Sequence, residues 1–194
     1  MNIILASTSV YRKDLLKRLG IDFDCIAPDF DEDTINACTY SAKDLACLLA
    51  EKKAHSLTLA HPNQIIIGSD QVCTEGGEIF GKPLTHQKAT SQLQRLSGKV
   101  HELITAVCVC KGENTQTFFD RTSLHMSQLS DDMIERYLKL DTPYHCAGSY
   151  KIESYGITLF DSIDTQDFNA ITGLPLLKLS AVLKTLGVQP LEKA

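Results

Sequence analysis

The stretch GSDQVCTEGGEIFGKP, residues 68–83, follows the apolar run Ile65-Ile66-Ile67, and how the two join decides the fold. A short apolar run bounded by turn residues reads as a buried strand. Glu75-Gly76-Gly77-Glu78 then reads as the turn of a hairpin. On that reading Asp70 follows the C-terminal end of an apolar strand, the place where open α/β sheets hold ligands, and Gly68 permits a close backbone approach. An Asp at a strand end is equally ordinary turn chemistry. The sharper reading has Asp70 and Lys82, one hairpin apart, facing one substrate.

Outward from this stretch, strands and helices alternate without repeats. Residues 2–6 form a short apolar strand, and STSVYRKDLLKRLG then offers Ser7 or Ser9 as N-cap, Leu15, Leu16 and Leu19 as a buried stripe, and Gly20 as stop. Residues 22–27 alternate as a second strand, and an acidic loop, PDFDEDTINACTY, follows. Ser41, with Asp44 three residues on, begins a long helix through Leu59. After the strand over 64–69 and its hairpin, Thr85 caps a helix that ends at Gly98. Two long antiparallel strands span 100–110 and 115–126, a helix 130–140, a strand 157–163 and a closing helix 175–186. The mixture predicts an α/β fold with a mixed sheet. It is not a Rossmann unit, since no G-x-G-x-x-G follows the first strand, and it carries no Walker A motif.

The 194 residues, 43% of them hydrophobic, suffice for a full core as one large domain or two closely packed lobes, with no linker between. No run of eighteen apolar residues, basic leader or block of like charge stands out, so a membrane span, a secretion signal or a disordered tail is not expected, and the expected compartment is cytoplasmic. Seven cysteines, odd in number and never spaced C-x-x-C, read as reduced thiols, mostly small core residues, and argue against a disulfide framework or a structural zinc site. A formal net charge of −5 argues against broad nucleic-acid binding but leaves room for a small anion in a locally positive pocket.

The candidate chemistry begins at LASTSVYR, residues 5–12, where small hydroxyl residues and Arg12 stand at a strand-to-helix turn. Free backbone N–H groups and the helix dipole favour an anion there, although Ser7, Thr8 and Ser9 serve as well for capping alone. Asp31, Glu32 and Asp33 lie in a loop, where a charge run is commonly a solvated face. Lys52 and Lys53 lie on the second helix. In CAGSYKIESYG, residues 146–156, Lys151 and Glu153 share one face if the segment is extended.

Taken in order, LASTSVYRKDLL, DFDEDT, LLAEKKAHSL, IIIGSDQV, GKPLT, CAGSYKIESYGITLF and ITGLPL resemble the Maf family of nucleoside triphosphate pyrophosphatases over nearly the whole chain. Asp70-Gln71 and the Lys-x-Glu of SYKIE resemble its YceF-like subgroup, which hydrolyses 7-methyl-GTP. The dTTP/UTP subgroup typically has Thr after the Asp and Gln in place of this Glu. Val10 stands where the family commonly has Pro, which is favourable but not required at a helix start.

The resemblance implies an α/β fold of the Maf and ITPase-like kind, an elongated mixed sheet flanked by helices, as a single domain over residues 1–194 with two lobes and a central cleft. It implies cleavage between the α and β phosphates with a divalent cation, Mg²⁺ or Mn²⁺, as cofactor. It carries substrate binding onto Ser7, Arg12, Lys53, Lys82 and Lys151, and metal ligation onto Glu32 and Asp70. Asp70 is further read as the proton acceptor. Base selection falls to Tyr11, Gln71 and Glu153. The partner implied is a nucleoside triphosphate, without stable nucleic-acid or membrane association, and a homodimer is permitted. Three rivals stand beside it: a sibling enzyme acting on dTTP, UTP or another noncanonical nucleotide, a non-catalytic nucleotide-binding regulator of cell division, and, behind these, a zinc-thiolate protein.

Overall fold

The computed structural model describes residues 2–191, with Asp33 described by its backbone alone. The expected α/β class with a mixed sheet is present, with seven strands and five α-helices among the described residues. β1 (Ile3–Ala6), α1 (Val10–Lys17), β2 (Asp24–Ile26), α2 (Ala42–His55), β3 (Ile65–Glu75), β4 (Glu78–Phe80) and α3 (His86–Leu96) come first. β5 (Val100–Lys111), β6 (Asn114–Met126), α4 (Asp131–Asp141), β7 (Phe160–Asp164) and α5 (Leu176–Thr185) complete the chain, and the strands hydrogen-bond in the order β2-β1-β3-β5-β6-β7, with β4 on β3.

The chain divides into two compact units. The first comprises residues 1–71, 105–120 and 167–194, the second 72–104 and 121–166. In the first unit β1 pairs in parallel with β2 and with β3, Ile3 opposite Ile65 and Ala6 opposite Gly68. Strands buried on both faces read as continuous apolar runs, which is why Ile3–Ala6 and Ile65–Ile67 are solidly hydrophobic. Leu15 and Leu16 of α1, Val107 and Val109 of β5, and Leu176, Leu179 and Leu183 of α5 close the core around Ile3, Leu5, Ile65 and Ile67. Each fully buried side chain of that size contributes about 1.5–3 kcal/mol against exposure.

Side-chain caps set the helix starts. Ser9 accepts from the Arg12 N–H, Ser41 from Asp44 and Thr85 from Lys88, as the sequence leads one to expect. α2 stops at His55, four residues short of the expected end at Leu59. The Ser56 hydroxyl donates to the Lys53 carbonyl (2.9 Å) and the Thr58 hydroxyl to that of His55 (2.9 Å), side-chain bonds that compete with helix continuation.

In the second unit β3 turns into β4 through Gly76 (φ +58°) and Gly77 (φ +86°), with Glu75 opposite Glu78. Two positive φ values in a two-residue loop match the right-handed twist of the strands it joins. α3 packs on α4, and β6 pairs antiparallel with β7 from Ser123 opposite Asp164. β7 begins at Phe160 rather than at Ile157, because residues Tyr155–Leu159 wind into a 3₁₀ turn. No described helix is long and apolar enough to cross a membrane.

Candidate functional site

The first unit builds a four-charge cluster. Lys53 lies on the buried stripe of α2, with Leu45, Ala46, Leu49, Ala50 and Ala54, so its stem packs inward and its ammonium must find partners there. It finds two. Lys53 Nζ makes a short contact with Asp70 Oδ1 and lies 2.8 Å from Glu32 Oε1. Lys53 is 6% and Asp70 8% exposed, while Glu32 rises from the 3₁₀ turn Glu32–Thr34 in the acidic loop and is exposed. The approach depends on Gly68, where a Cβ would fall 2.3 Å from the Ala50 carbonyl oxygen and 2.6 Å from the Ala54 nitrogen. Only a residue without a side chain lets α2 lie this near β3.

Arg12, three residues past the N-cap of α1, donates through Nε to the Gly173 carbonyl (3.3 Å), which also accepts the hydroxyl of the fully buried Ser69 (2.8 Å). Burial pushes the Arg12 pKa below its ordinary value, and the charges of Asp70 and Glu32 oppose that shift. Arg12 is thus within electrostatic reach of both carboxylates, and two cations balance two anions. Gly173 itself has φ +115°, and a Cβ there would meet Arg12 Nε at 3.1 Å. Ser7 is buried at the end of β1, with Oγ accepting from the Ser9 N–H (3.1 Å).

Asp70 does not stand at the end of a strand, as its sequence position suggests, because β3 runs on to Glu75. It stands two residues beyond the last β1 partner, Gly68, so it passes the C-terminal end of the parallel neighbour while its own strand continues. The ladder with β4 from Cys73 to Glu75 explains the extension. Gln71 is half-buried, and its amide nitrogen donates toward the Thr105 hydroxyl and the Ala170 and Ile171 carbonyls, all at 2.9 Å. Tyr11 is 40% exposed on α1, and Lys52 is exposed, unlike Lys53.

The remaining expected residues belong to the second unit. Lys82 is exposed after β4, and Glu153 is exposed in a turn. Lys151 is half-buried, its ammonium donating to the Asp141 carbonyl (2.6 Å). The segment is not extended: the Ser154 N–H returns to the Lys151 carbonyl (3.2 Å), so the expectation that Lys151 and Glu153 share a strand face is corrected. The buried Asp141, last residue of α4, causes the curl by accepting from the Ser154 hydroxyl (2.6 Å) and the Gly156 N–H (3.2 Å). Burial pushes the Cys146 thiol up to about 11, with smaller effects from Glu153, Lys151, Asp141 and Lys82, which gathers those four charges around one half-buried sulfur.

Structure therefore brings Glu32, Lys53, Asp70 and Arg12 together in one unit, and Lys82, Lys151 and Glu153 into one neighbourhood in the other. Ser69, Thr105, the Gly173 carbonyl and Asp141 hold these groups in place and were not singled out by sequence. Ser69 adjoins the Asp-Gln pair and Gly173 lies in the ITGLPL motif, so both had a signal; Asp141 and Thr105, inside a helix and a strand, had none. Of the thiols expected mostly in the core, Cys73, Cys108 and Cys110 are buried, Cys47 and Cys146 half-buried, and Cys25 and Cys38 exposed; all seven are free.

Chemically, the carboxylates can hold a hard cation or accept a proton from water, and the cations can bind phosphate. The family described as Maf-like protein matches residues 2–186. A curated relative from Bdellovibrio bacteriovorus, "7-methyl-GTP pyrophosphatase", is 46% identical over 182 residues, 94% of this chain and 95% of its own. Among solved structures, that of a HAM1 protein from Coxiella burnetii superposes with a TM-score of 0.54 at 13% identity, covering 95% of this chain and 99% of its own, a likeness of fold.

Proposed function

The chain belongs to the Maf-like protein family, and from that premise we propose that it is a nucleoside triphosphate pyrophosphatase that hydrolyses the α–β phosphoanhydride of 7-methyl-GTP to 7-methyl-GMP and pyrophosphate. The observation that carries this reading is the buried ammonium of Lys53 held by Glu32 and Asp70 within the electrostatic reach of Arg12. A triphosphate repels an oxygen nucleophile, so positioned cations must offset its charge and the charge gathering on the leaving pyrophosphate. Lys53 and Arg12 suit that work, with Ser7 as a further donor to phosphate.

Glu32 and Asp70 fit a divalent cation. Oxygens of both meet on one ammonium, so they are near enough to meet on one ion, and Mg²⁺ or Mn²⁺ keeps several waters and needs only one or two carboxylates from the protein. Bound there, the cation supplies charge neutralisation to the phosphates. Asp70 takes the proton of the attacking water, and Lys53, released from carboxylate pairing, gives its N–H groups to phosphate oxygens. Lys82 and Lys151 are proposed as further substrate contacts.

The 7-methyl group gives guanine a delocalised positive charge, so the exposed ring of Tyr11 can stack on it with a cation–π gain of roughly 0.5–2 kcal/mol. Glu153 accepts from the guanine N1–H and exocyclic amine, a paired donor edge that uracil and thymine lack. Gln71 acts through the segment its amide holds at Ala170 and Ile171.

A panel of 7-methyl-GTP, GTP, UTP and dTTP with Mg²⁺ or Mn²⁺, monophosphate and pyrophosphate measured separately, tests the reading. Equimolar products, loss of turnover on chelation, and the highest kcat/KM for 7-methyl-GTP are expected. Glu153→Gln lowers that value far more than the value for UTP. Orthophosphate as first product, or UTP or dTTP preferred by the unaltered protein, overturns the assignment.

A further inference from the structure

A cluster that the proposed hydrolysis does not use lies elsewhere in the first unit. Cys108 and Cys110 are two residues apart on β5, so both thiols project from the same face. Their sulfurs are 3.6 Å apart, and Cys110 Sγ lies 3.8 Å from Nδ1 of His55, the last residue of α2. All three ligand atoms fall within 4.8 Å of one another, and among the described residues this is the group of three His, Cys, Asp or Glu side chains so arranged.

We propose that His55, Cys108 and Cys110 form a binding site for a thiophilic d¹⁰ cation, Zn²⁺ first among them. Two sulfurs each ~2.3 Å from a tetrahedral Zn²⁺ stand ~3.8 Å apart, and a sulfur and an imidazole nitrogen ~3.6 Å apart. The Cys108–Cys110 and Cys110–His55 spacings lie within a few tenths of an ångström of those edges, and the third edge is under 4.8 Å, so side-chain movement of about an ångström closes the site on the ion. Charge also balances: two thiolates and a neutral imidazole around a dication leave no net charge where Cys108 is 0% and Cys110 1% exposed. His55 is exposed and supplies the entry path.

The surroundings agree with this chemistry. The Thr115 hydroxyl donates to Cys110 Sγ at 3.7 Å and holds that sulfur beside His55. Glu51, one turn before His55 on α2, is held by the Thr117 hydroxyl at 2.7 Å and adds negative charge near both sulfurs. The spacing C-x-x-C was the wrong signal to seek, because on a strand it sends two thiols to opposite faces, whereas C-x-C sends them to one.

The test titrates the reduced, metal-free protein with Co²⁺ and reads the thiolate-to-cobalt charge-transfer band, then measures Zn²⁺ affinity by competition with a chromophoric chelator. One equivalent bound with that band, and a Tm raised by Zn²⁺, are expected. Cys110→Ser removes the band. His55→Ala, at an exposed position, weakens Zn²⁺ by more than the roughly 10- to 100-fold that outer-shell changes cost, and abolishes the Tm rise. The double variant Glu32→Gln with Asp70→Asn keeps the band, which separates this site from the carboxylate cluster. Absence of binding, binding without the band, or wild-type Zn²⁺ affinity in both His55→Ala and Cys110→Ser overturns the proposal.

Discussion

Asn at position 70 would keep the shape of the side chain and remove its charge, leaving Lys53 with Glu32 as carboxylate partner. We expect Asp70→Asn to reduce kcat by about 10²- to 10⁴-fold, the range for loss of a general base, with the fold retained by circular dichroism; wild-type turnover would remove Asp70 from the chemistry. Lys53→Met is a different kind of loss, because it strands a carboxylate that is only 8% exposed. Breaking a buried pair from one side costs about 3–5 kcal/mol, so urea denaturation of Lys53→Met should shift by that amount. Lys52→Ala, one residue away and exposed, should stay within about 0.5 kcal/mol of wild type. Equal effects from the two lysines would contradict the packing of α2.

The contact of α2 with β3 turns on Gly68. A Cβ 2.3 Å from a helix carbonyl has no room, so Gly68→Ala must push the helix away and carry Lys53 with it. Overpacking of this kind costs about 1–3 kcal/mol, and the expected signature is a lowered Tm together with weakened triphosphate binding; a variant with unchanged Tm would count against the close approach. Much of this element-level organisation was legible in the sequence. Capping residues Ser9, Ser41 and Thr85, the double-glycine turn and the apolar strands are local signals, and the structure has each where it was read. What was not legible depends on which of several available partners a group takes once the chain is folded. The extension of β3 past Asp70 needs the ladder with β4, the early stop of α2 needs Ser56 and Thr58 to choose helix carbonyls, and the curl at Lys151 needs Asp141 from another element. The carboxylate–lysine cluster was foreseeable only through resemblance: the Leu45-Leu49-Lys53 spacing sets Lys53 apart from Lys52 on the helix, but no local pattern joins it to Glu32 and Asp70. The three-ligand thiol cluster escaped for the same reason, His55 and Cys110 being 55 residues apart.

For the molecule as a whole, acid sensitivity has an identifiable source. His101 is 1% exposed, its Nε2 lies 2.9 Å from the Tyr150 hydroxyl, and its Nδ1 has no partner among the described residues. Burial pushes its pKa down to about 4. The unfolded chain protonates the same ring near pH 6.5, so between about pH 6.5 and about 4 the unfolded state binds the extra proton and stability falls as pH falls; above that window it is fully present. The loss amounts to roughly 3 kcal/mol across the window. Urea midpoints followed from about pH 7 to about pH 4 should show this slope, and His101→Gln should flatten it; an unchanged slope would assign the acid sensitivity to other groups.

The Gly173 carbonyl that receives Ser69 and Arg12 has a consequence for biosynthesis. Its partners Ser69 and Arg12 leave the ribosome 104 and 161 residues earlier, so at ~5–20 residues per second Ser69 precedes it by roughly 5–20 s. During that interval β1 and β3 also lack the cover of Leu176, Leu179 and Leu183. The nascent chain therefore carries an unclosed apolar sheet until α5 is made, and in that interval its exposed strands are open to aggregation.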